Sequence, residues 1–222
     1  MRHSFSAAPP PYAGCAFLLA LALGTALGLD PTPGRADFVA GVTVDTSPLV
    51  AEYPNSPGLV YGLQFVLIDG SGTGDSSTTV NISNLSYGSG SGPAGPLSLT
   101  DNAFIVIDTE VFTPGSTLGF TLDIQHNAAL PSDTFEFTLL SNVDPANPQT
   151  TGTPIATTDP FGSLLTIDVT PNPDVMTFQG TVDPPITIVV TSVPEPSVLA
   201  MGVLVGAGAL IVGWTRRRPR RT

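Results

Sequence analysis

The sequence predicts an all-β protein, an antiparallel β-sandwich of jelly-roll-like type, from two observations. Apolar and polar residues alternate along short runs, most clearly at residues 118–124 and again at 135–139 and 186–190. Such alternation places one face of a strand in a core and the other face in water. No segment between Asp37 and Val193 keeps a 3.6-residue apolar period over three turns, so long helices are not expected there.

Nine strands are predicted in all, separated by clusters of Gly, Pro, Asn, Asp and Ser that are typical of turns. Besides the three runs above, they cover residues 38–44, 59–68, 78–85, 104–112, 164–169 and 176–182. Many short strands between turn signals are typical of sandwiches. No repeat of 20–50 residues is visible, which argues against a solenoid or a propeller.

The charges are distributed very unevenly along the chain. All 7 basic side chains are arginines, and none of them lies between Asp37 and Val193, although this stretch holds 16 of the 18 carboxylates. Affinity for nucleic acid comes largely from Lys and Arg contacts with phosphate, so the stretch is not a nucleic-acid binder. Its carboxylates must be solvated, hydrogen-bonded to N–H groups or neutralised by bound cations.

The N-terminal region has the pattern of a signal peptide. An uncharged apolar run at residues 15–29 follows Arg2 and precedes helix-breaking prolines. We predict a signal peptide over residues 1–36, cleaved between Ala36 and Asp37; cleavage after Gly28 and an uncleaved anchor are the alternatives. The only cysteine, Cys15, lies inside this segment, so the rest of the chain forms no disulfide.

The C-terminal region has the pattern of a membrane-spanning helix. Residues 197–214 are uncharged and, at 1.5 Å per residue, would form a helix of roughly 27 Å, which matches the hydrocarbon layer of a bilayer. Trp214 lies where an interfacial aromatic residue belongs, and positive charges after it fix that end in the cytoplasm. These charges are the arginine cluster at 216–221, made of Arg216, Arg217, Arg218, Arg220 and Arg221. Residues 37–192 are therefore expected beyond the inner membrane, as the exported β-sandwich domain.

Pro194, Glu195 and Pro196 precede this helix, and the order of tripeptide, apolar span and arginine cluster over residues 193–222 resembles the PEP-CTERM sorting signal of Gram-negative bacteria. The resemblance implies that a membrane-embedded exosortase recognises the tail and cuts or transfers the protein near the tripeptide. It implies a transient anchor in the inner membrane, followed by a cell-surface or extracellular location. Glu195 is then a recognition residue that the two prolines hold extended.

Two further segments resemble a recurrent group of PEP-CTERM proteins. They are the DGSGTGD loop at residues 69–75 and the FTPGSTL turn at residues 112–118. The resemblance implies a shared exported β-domain and supplies no activity.

The DGSGTGD loop is the candidate metal site. Oxygen-bearing side chains alternate with glycines from Asp69 to Asp75, and calcium takes six to eight oxygen ligands from such flexible loops. The sequence therefore offers Asp69 and Asp75 as calcium ligands, although no Glu closes the loop. The alternative is a Gly-rich hairpin connection in which these aspartates cap the N–H groups of the turn.

No catalytic residue is predicted. Asp108 with Glu110, and Asp133 with Glu136, could be read as the acid pairs of a glycosidase, but acidic residues are expected on the wet face of strands. His126 has no cysteine or basic partner for a catalytic triad and is interpreted as a loop residue after the strand at 118–125.

The sequence leaves three functions open. The first is an exported, non-enzymatic cell-surface or extracellular-matrix protein associated with exopolysaccharide. The second is a calcium-dependent carbohydrate-binding module, for which Tyr53, Tyr61 and Tyr87 are the available tyrosine platform. The third is a glycan-active hydrolase, which requires two carboxyls facing each other across a cleft.

Overall fold

The computed structural model describes residues 35–52, 59–127 and 129–193. The predicted signal peptide up to residue 34 and the whole predicted tail from residue 194 lie outside these residues. The structure therefore does not describe the residues to which the tail prediction gave roles, namely Pro194, Glu195, Pro196, Trp214, Arg216, Arg217, Arg218, Arg220 and Arg221. In the part of the chain that the structure describes, no helix is long and apolar enough to cross a membrane.

Two antiparallel sheets make up the described residues, which confirms the predicted all-β sandwich. The strands are β1 (Arg35–Asp45), β2 (Tyr61–Ile68), β3 (Thr78–Ser86), β4 (Leu97–Thr100), β5 (Ile105–Phe112), β6 (Thr117–Asn127), β7 (Asp133–Ser141), β8 (Thr153–Pro154), β9 (Leu165–Val169), β10 (Asp174–Thr177) and β11 (Thr187–Ser192). A short helix α1 (Ser47–Glu52) and a 3-10 helix (Pro148–Thr150) complete the elements. The first sheet has the order β11-β1-β6-β3-β4. The second has the order β10-β9-β7-β2-β5, with β8 paired to β7.

The core fills the space between the sheets, where strands such as β3 and β6 alternate and the central strand β2 is buried on both faces. In β6 the inward residues from Leu118 to Ile124 are buried, and their neighbours are only half-buried. Phe120 of the first sheet meets Phe65 and Phe137 of the second, with ring centroids 5.6 and 5.1 Å apart. These aromatic contacts fix how the two sheets face each other.

The structure departs from the predicted elements where strands are short. Both β4 and β8 were missed, since four and two residues are too few to show an alternation. The predicted strand at 176–182 is wrong in its bounds: β10 begins at Asp174 and ends at Thr177, and only Gly180 beyond it forms an isolated bridge, to Thr157. Helix α1 was not predicted, because six residues cannot display a helical period.

Candidate functional site

Four aspartates meet at one end of the sandwich, where four parts of the chain leave or enter strands. Asp69 follows β2, Asp75 precedes β3, Asp101 follows β4 and Asp133 begins β7. Asp69, Asp101 and Asp133 are almost completely buried, and Asp75 is half-buried. We call these four residues the aspartate cluster. Sequence analysis had offered Asp69 and Asp75 as metal ligands, and the structure brings Asp101 and Asp133 to the same place.

Asp69 is the centre around which the DGSGTGD loop folds. Its carboxylate accepts hydrogen bonds from the backbone N–H groups of Ser71, Thr73 and Gly74, and from the Ser71 hydroxyl, at 2.5–2.8 Å. Burial by itself raises the pKa of Asp69, but these donors outweigh it and hold the pKa below its ordinary value. Asp69 thus caps the turn as expected, but the loop is not a hairpin connection, because β2 and β3 lie in different sheets.

Asp133, at the start of β7, also accepts a hydrogen bond from the DGSGTGD loop. The Gly70 N–H donates to Asp133 Oδ1 at 2.8 Å, so the loop between β2 and β3 is bonded to the start of β7. Gly70 itself lies against the carbonyl of Ser132, and a Cβ added at this position would overlap that backbone oxygen. A glycine is needed here because of this close approach.

Asp101 and Asp133 compete for one hydroxyl proton. Asp101 accepts the Thr78 N–H at 3.1 Å and both the N–H and the hydroxyl of Ser77, at 3.1 and 2.9 Å. The same Ser77 Oγ lies 3.2 Å from Asp133 Oδ2, and a hydroxyl has only one proton to donate. Burial raises the pKa of Asp101, and the negative charge of Asp133 raises it further. Hydrogen bonds from Ser77 instead lower the pKa of Asp75.

His126 belongs to this polar end and is not a loop residue. It lies in β6, which continues to Asn127 because Thr78 of β3 pairs with His126. Its ring is buried, with Nδ1 2.7 Å from Thr78 Oγ1 and 3.9 Å from Asp133 Oδ2. The prediction failed because the apolar alternation stops at Ile124; His126 occupies the next inward position of the same row, and that spacing was the available signal.

The geometry of the aspartate cluster suits a cation. Asp69, Asp75 and Asp101 each bring one carboxylate oxygen within 4.8 Å of the others. Ca²⁺ binds oxygens at about 2.3–2.6 Å, so two ligands of one ion lie at most about 5 Å apart. The three carboxylate oxygens are therefore close enough to one another to share one calcium ion, and only the fold brings Asp101 to the loop.

Asp133 and Glu136, which the sequence analysis considered and rejected as a glycosidase acid pair, do not face each other. Asp133 points into the aspartate cluster, whereas Glu136 lies on the other face of β7 and accepts a hydrogen bond from Ser163 Oγ at 3.3 Å. Burial raises the pKa of Glu136, and the charge of Asp159 adds to this effect.

Asp108 and Glu110 lie next to each other on one face of β5, and this face is directed toward the core. Their cross-strand partners are Phe65 and Leu63, which point into the core. The expectation of a solvent-facing position was therefore wrong. The two carboxylates are only half-buried on this face because β5 is an edge strand. Burial raises the pKa of Glu110, and the charge of Asp108 raises it further.

Of the three tyrosines that could form the platform of a carbohydrate-binding module, the two that the structure describes are not exposed. Tyr61 is buried in the core, and Tyr53 lies outside the described residues. Tyr87 is half-buried and donates its hydroxyl to the Pro93 carbonyl at 3.1 Å. Burial, with the charge of Glu110, raises the pKa of Tyr87 to about 12. The most exposed aromatic side chain among the described residues is Phe161, at 81%.

The fold and the site together define an acidic β-sandwich whose one end is closed by a buried aspartate cluster. The chain matches no protein-family model, no curated protein and no solved structure.

Proposed function

We propose that this protein is an exported, non-enzymatic cell-surface or extracellular-matrix protein that is associated with exopolysaccharide. The observation that carries this proposal is a body free of Lys and Arg between Asp37 and Val193. Its buried carboxylates take their hydrogen bonds from N–H and O–H groups, and each buried side-chain polar atom of the described residues has a hydrogen-bond partner. Such a body keeps a strongly anionic, hydrated surface without needing ion pairs, which suits a hydrated matrix.

The route of export is part of the proposal. The signal peptide at 1–36 starts translocation, the helix at 197–214 halts it in the inner membrane, and an exosortase processes the tail at Pro194-Glu195-Pro196. Strand β1 begins at Arg35, so cleavage after Gly28 leaves this strand whole, whereas cleavage after Ala36 removes its first two residues. The finer jelly-roll-like architecture of the exported domain also belongs to this proposal.

Mass spectrometry of the protein from fractionated cells tests the route. We expect the secreted or surface fraction to lack the tail after the tripeptide, and Glu195→Ala to accumulate at full length in the inner membrane. Ser192→Ala, a small change just before the tail, is the matched control and should be processed normally. If wild-type protein occurs only at full length in the inner membrane, the sorting proposal is wrong.

A calcium-dependent carbohydrate-binding module is the second candidate. It is favoured by the three carboxylates of Asp69, Asp75 and Asp101, whose oxygens lie within 4.8 Å of one another. Bound calcium would neutralise carboxylates in a stretch, Asp37 to Val193, that holds no Lys or Arg, and an ordered loop would then present a binding surface.

Calorimetry of the full chain in detergent tests this candidate, first with calcium and then with polysaccharide in the presence and absence of calcium. We expect calcium to bind, Asp101→Asn to abolish the binding heat, and the exposed control Asp174→Asn to retain it. No heat with calcium contradicts the metal site, and no heat with polysaccharide in either condition contradicts the module.

A further inference from the structure

Strand β5 ends the second sheet, and part of its free edge is closed by the chain itself. The side-chain amide of Gln149 accepts the Thr109 N–H at 3.0 Å and donates to the Thr109 carbonyl at 3.3 Å. These are the two bonds that a residue of a neighbouring strand would make. Beyond the strand, Thr113 exchanges two backbone hydrogen bonds with Ser91, at 2.7 and 3.0 Å. The second half of this edge is therefore blocked.

The first half of the edge is open. Backbone groups of an edge strand point alternately to the sheet and away from it, so Ile105 and Ile107 point away from β2, as Thr109 does. No hydrogen bond to these outward groups is found from the described part of the chain. Their side chains are 44% and 46% exposed, and Phe104 next to them is 56% exposed. Unpaired backbone beside exposed apolar side chains is the feature that proteins usually protect.

We propose that a second copy of this chain pairs with the open edge, antiparallel to it, about a two-fold axis at Val106. Ile105 then lies opposite the partner's Ile107, and Ile107 lies opposite the partner's Ile105. Each of these pairs exchanges both of its N–H···O bonds. The four isoleucines form one apolar row on the outer face of a continuous sheet, so the patch that is exposed in one copy is covered by the identical patch of the other.

Gln149 and the charges disfavour registers in which the axis moves toward the end of β5. An axis at Ile107 would already place Thr109 opposite the partner's Ile105 and displace Gln149. Moving the axis to Asp108 would place this carboxylate opposite the partner's Asp108, and like charges directly opposite in a sheet are destabilising. The moved axis would also bring Thr109 into the pairing and displace Gln149 from it. With the axis at Val106, Asp108 faces the partner's Phe104, and Gln149 keeps its bonds.

The anionic bodies set the salt dependence of this association. Each copy carries many carboxylates and no Lys or Arg between Asp37 and Val193, so two copies repel each other at low ionic strength. Salt screens this repulsion but has little effect on backbone pairing and apolar contact. We expect the dimer to tighten several-fold as sodium chloride is raised from about 0.02 to 0.2 M.

The molar mass of the full chain in detergent, measured by sedimentation and corrected for bound detergent, tests the proposal. We expect a reversible dimer that Ile107→Glu weakens at least about tenfold, because two carboxylates then lie in the seam. The matched control is Val189→Glu, at a position that is 61% exposed on the edge strand β11 of the first sheet, and it should dimerise like wild type.

A disulfide test reports the register. In a Cys15→Ser background, Val106→Cys places two thiols at a directly opposed pair, where neighbouring Cβ atoms are close enough for a disulfide. We expect oxidation to give a covalent dimer with Val106→Cys and none with Val189→Cys. A monomeric wild type overturns the proposal. So does a dimer that Ile107→Glu leaves intact, a dimer that Val106→Cys fails to cross-link, or a stoichiometric partner of another sequence on this edge.

Discussion

The aspartate cluster and the β5 carboxylates show two ways in which this body accommodates acidic groups without Lys or Arg. Asp69 is buried, yet three backbone N–H groups and a hydroxyl keep its pKa low. Glu110 is only partly buried, yet its pKa is raised because burial and the charge of Asp108 act on it without matching donors. For these two residues the number of donors, more than the depth of burial, decides the direction of the pKa shift, whereas burial and the charge of Asp133 outweigh the donors of Asp101.

The largest expected effect comes from blocking the close approach of Gly70 to the start of β7. Gly70→Ala forces its Cβ against the backbone carbonyl of Ser132 and should cost about 3 kcal/mol in the free energy of unfolding. Gly72→Ala is the matched control: its Cβ meets open space, but its φ of +73° leaves a strain of about 1 kcal/mol. Urea unfolding measures both, and equal effects would show that the Ser132 contact does not matter.

Asp69→Asn is expected to be the next most damaging change. An amide turns one oxygen of the side chain into an N–H donor that meets other donors, from Thr73 and Gly74 or from Ser71. The midpoint of urea unfolding should fall well below that of the exposed control Asp174→Asn, which should match wild type. A wild-type midpoint for Asp69→Asn would contradict the central role of this carboxylate.

The pH dependence of stability should separate the two regions. Between the lowered pKa of Asp69 and its ordinary value of 3.8, the unfolded chain binds protons that the folded chain does not. The stability from Asp69 is therefore complete above about pH 4 and is lost as the pH falls through the folded pKa. Asp69→Asn should flatten this acid limb, and an unchanged acid limb in urea unfolding from pH 5 to pH 2 would contradict the assignment.

Glu110→Gln should have the smallest effect, and of the opposite sign. Because the pKa of Glu110 is raised above its ordinary value of 4.5, the folded chain binds more protons in this window and loses stability as the pH rises through it. The variant should be more stable than wild type at pH 7 by about 0.5 kcal/mol, since the group is still largely solvated, and unchanged below pH 4. Thermal unfolding at both pH values measures this, and destabilisation at pH 7 would contradict the unfavourable environment.

The long strands β6 and β7 were predictable because each carries several apolar–polar alternations of its own, and β2 because its apolar run is bounded by turn signals. The strand candidates at 118–124 and 135–139 fall within β6 and β7, and the loop with Asp69 and Asp75 lies where the turn signals put it. The short strands β4 and β8 were not predictable, because their pairing partners stabilise them more than their own sequences do. The spacing of buried residues in β6 places His126 at the next inward position after Ile124. It was interpreted as a loop residue because a histidine does not continue the apolar alternation.

The sequence by itself determined that this chain forms β-strands with one buried and one solvent-facing side. It also determined that the carboxylates between Asp37 and Val193 have no Lys or Arg within that stretch to form ion pairs with. Both properties can be read directly from the sequence, the first from apolar residues at every second position and the second from the absence of Lys and Arg from Asp37 to Val193. Only the tertiary structure decided that Asp101 and Asp133 join Asp69, and that Gln149 covers Thr109 but leaves Ile107 open. These contacts join residues that lie far apart in the chain. The pairing of the strands brings them together, and no local sequence pattern specifies that pairing.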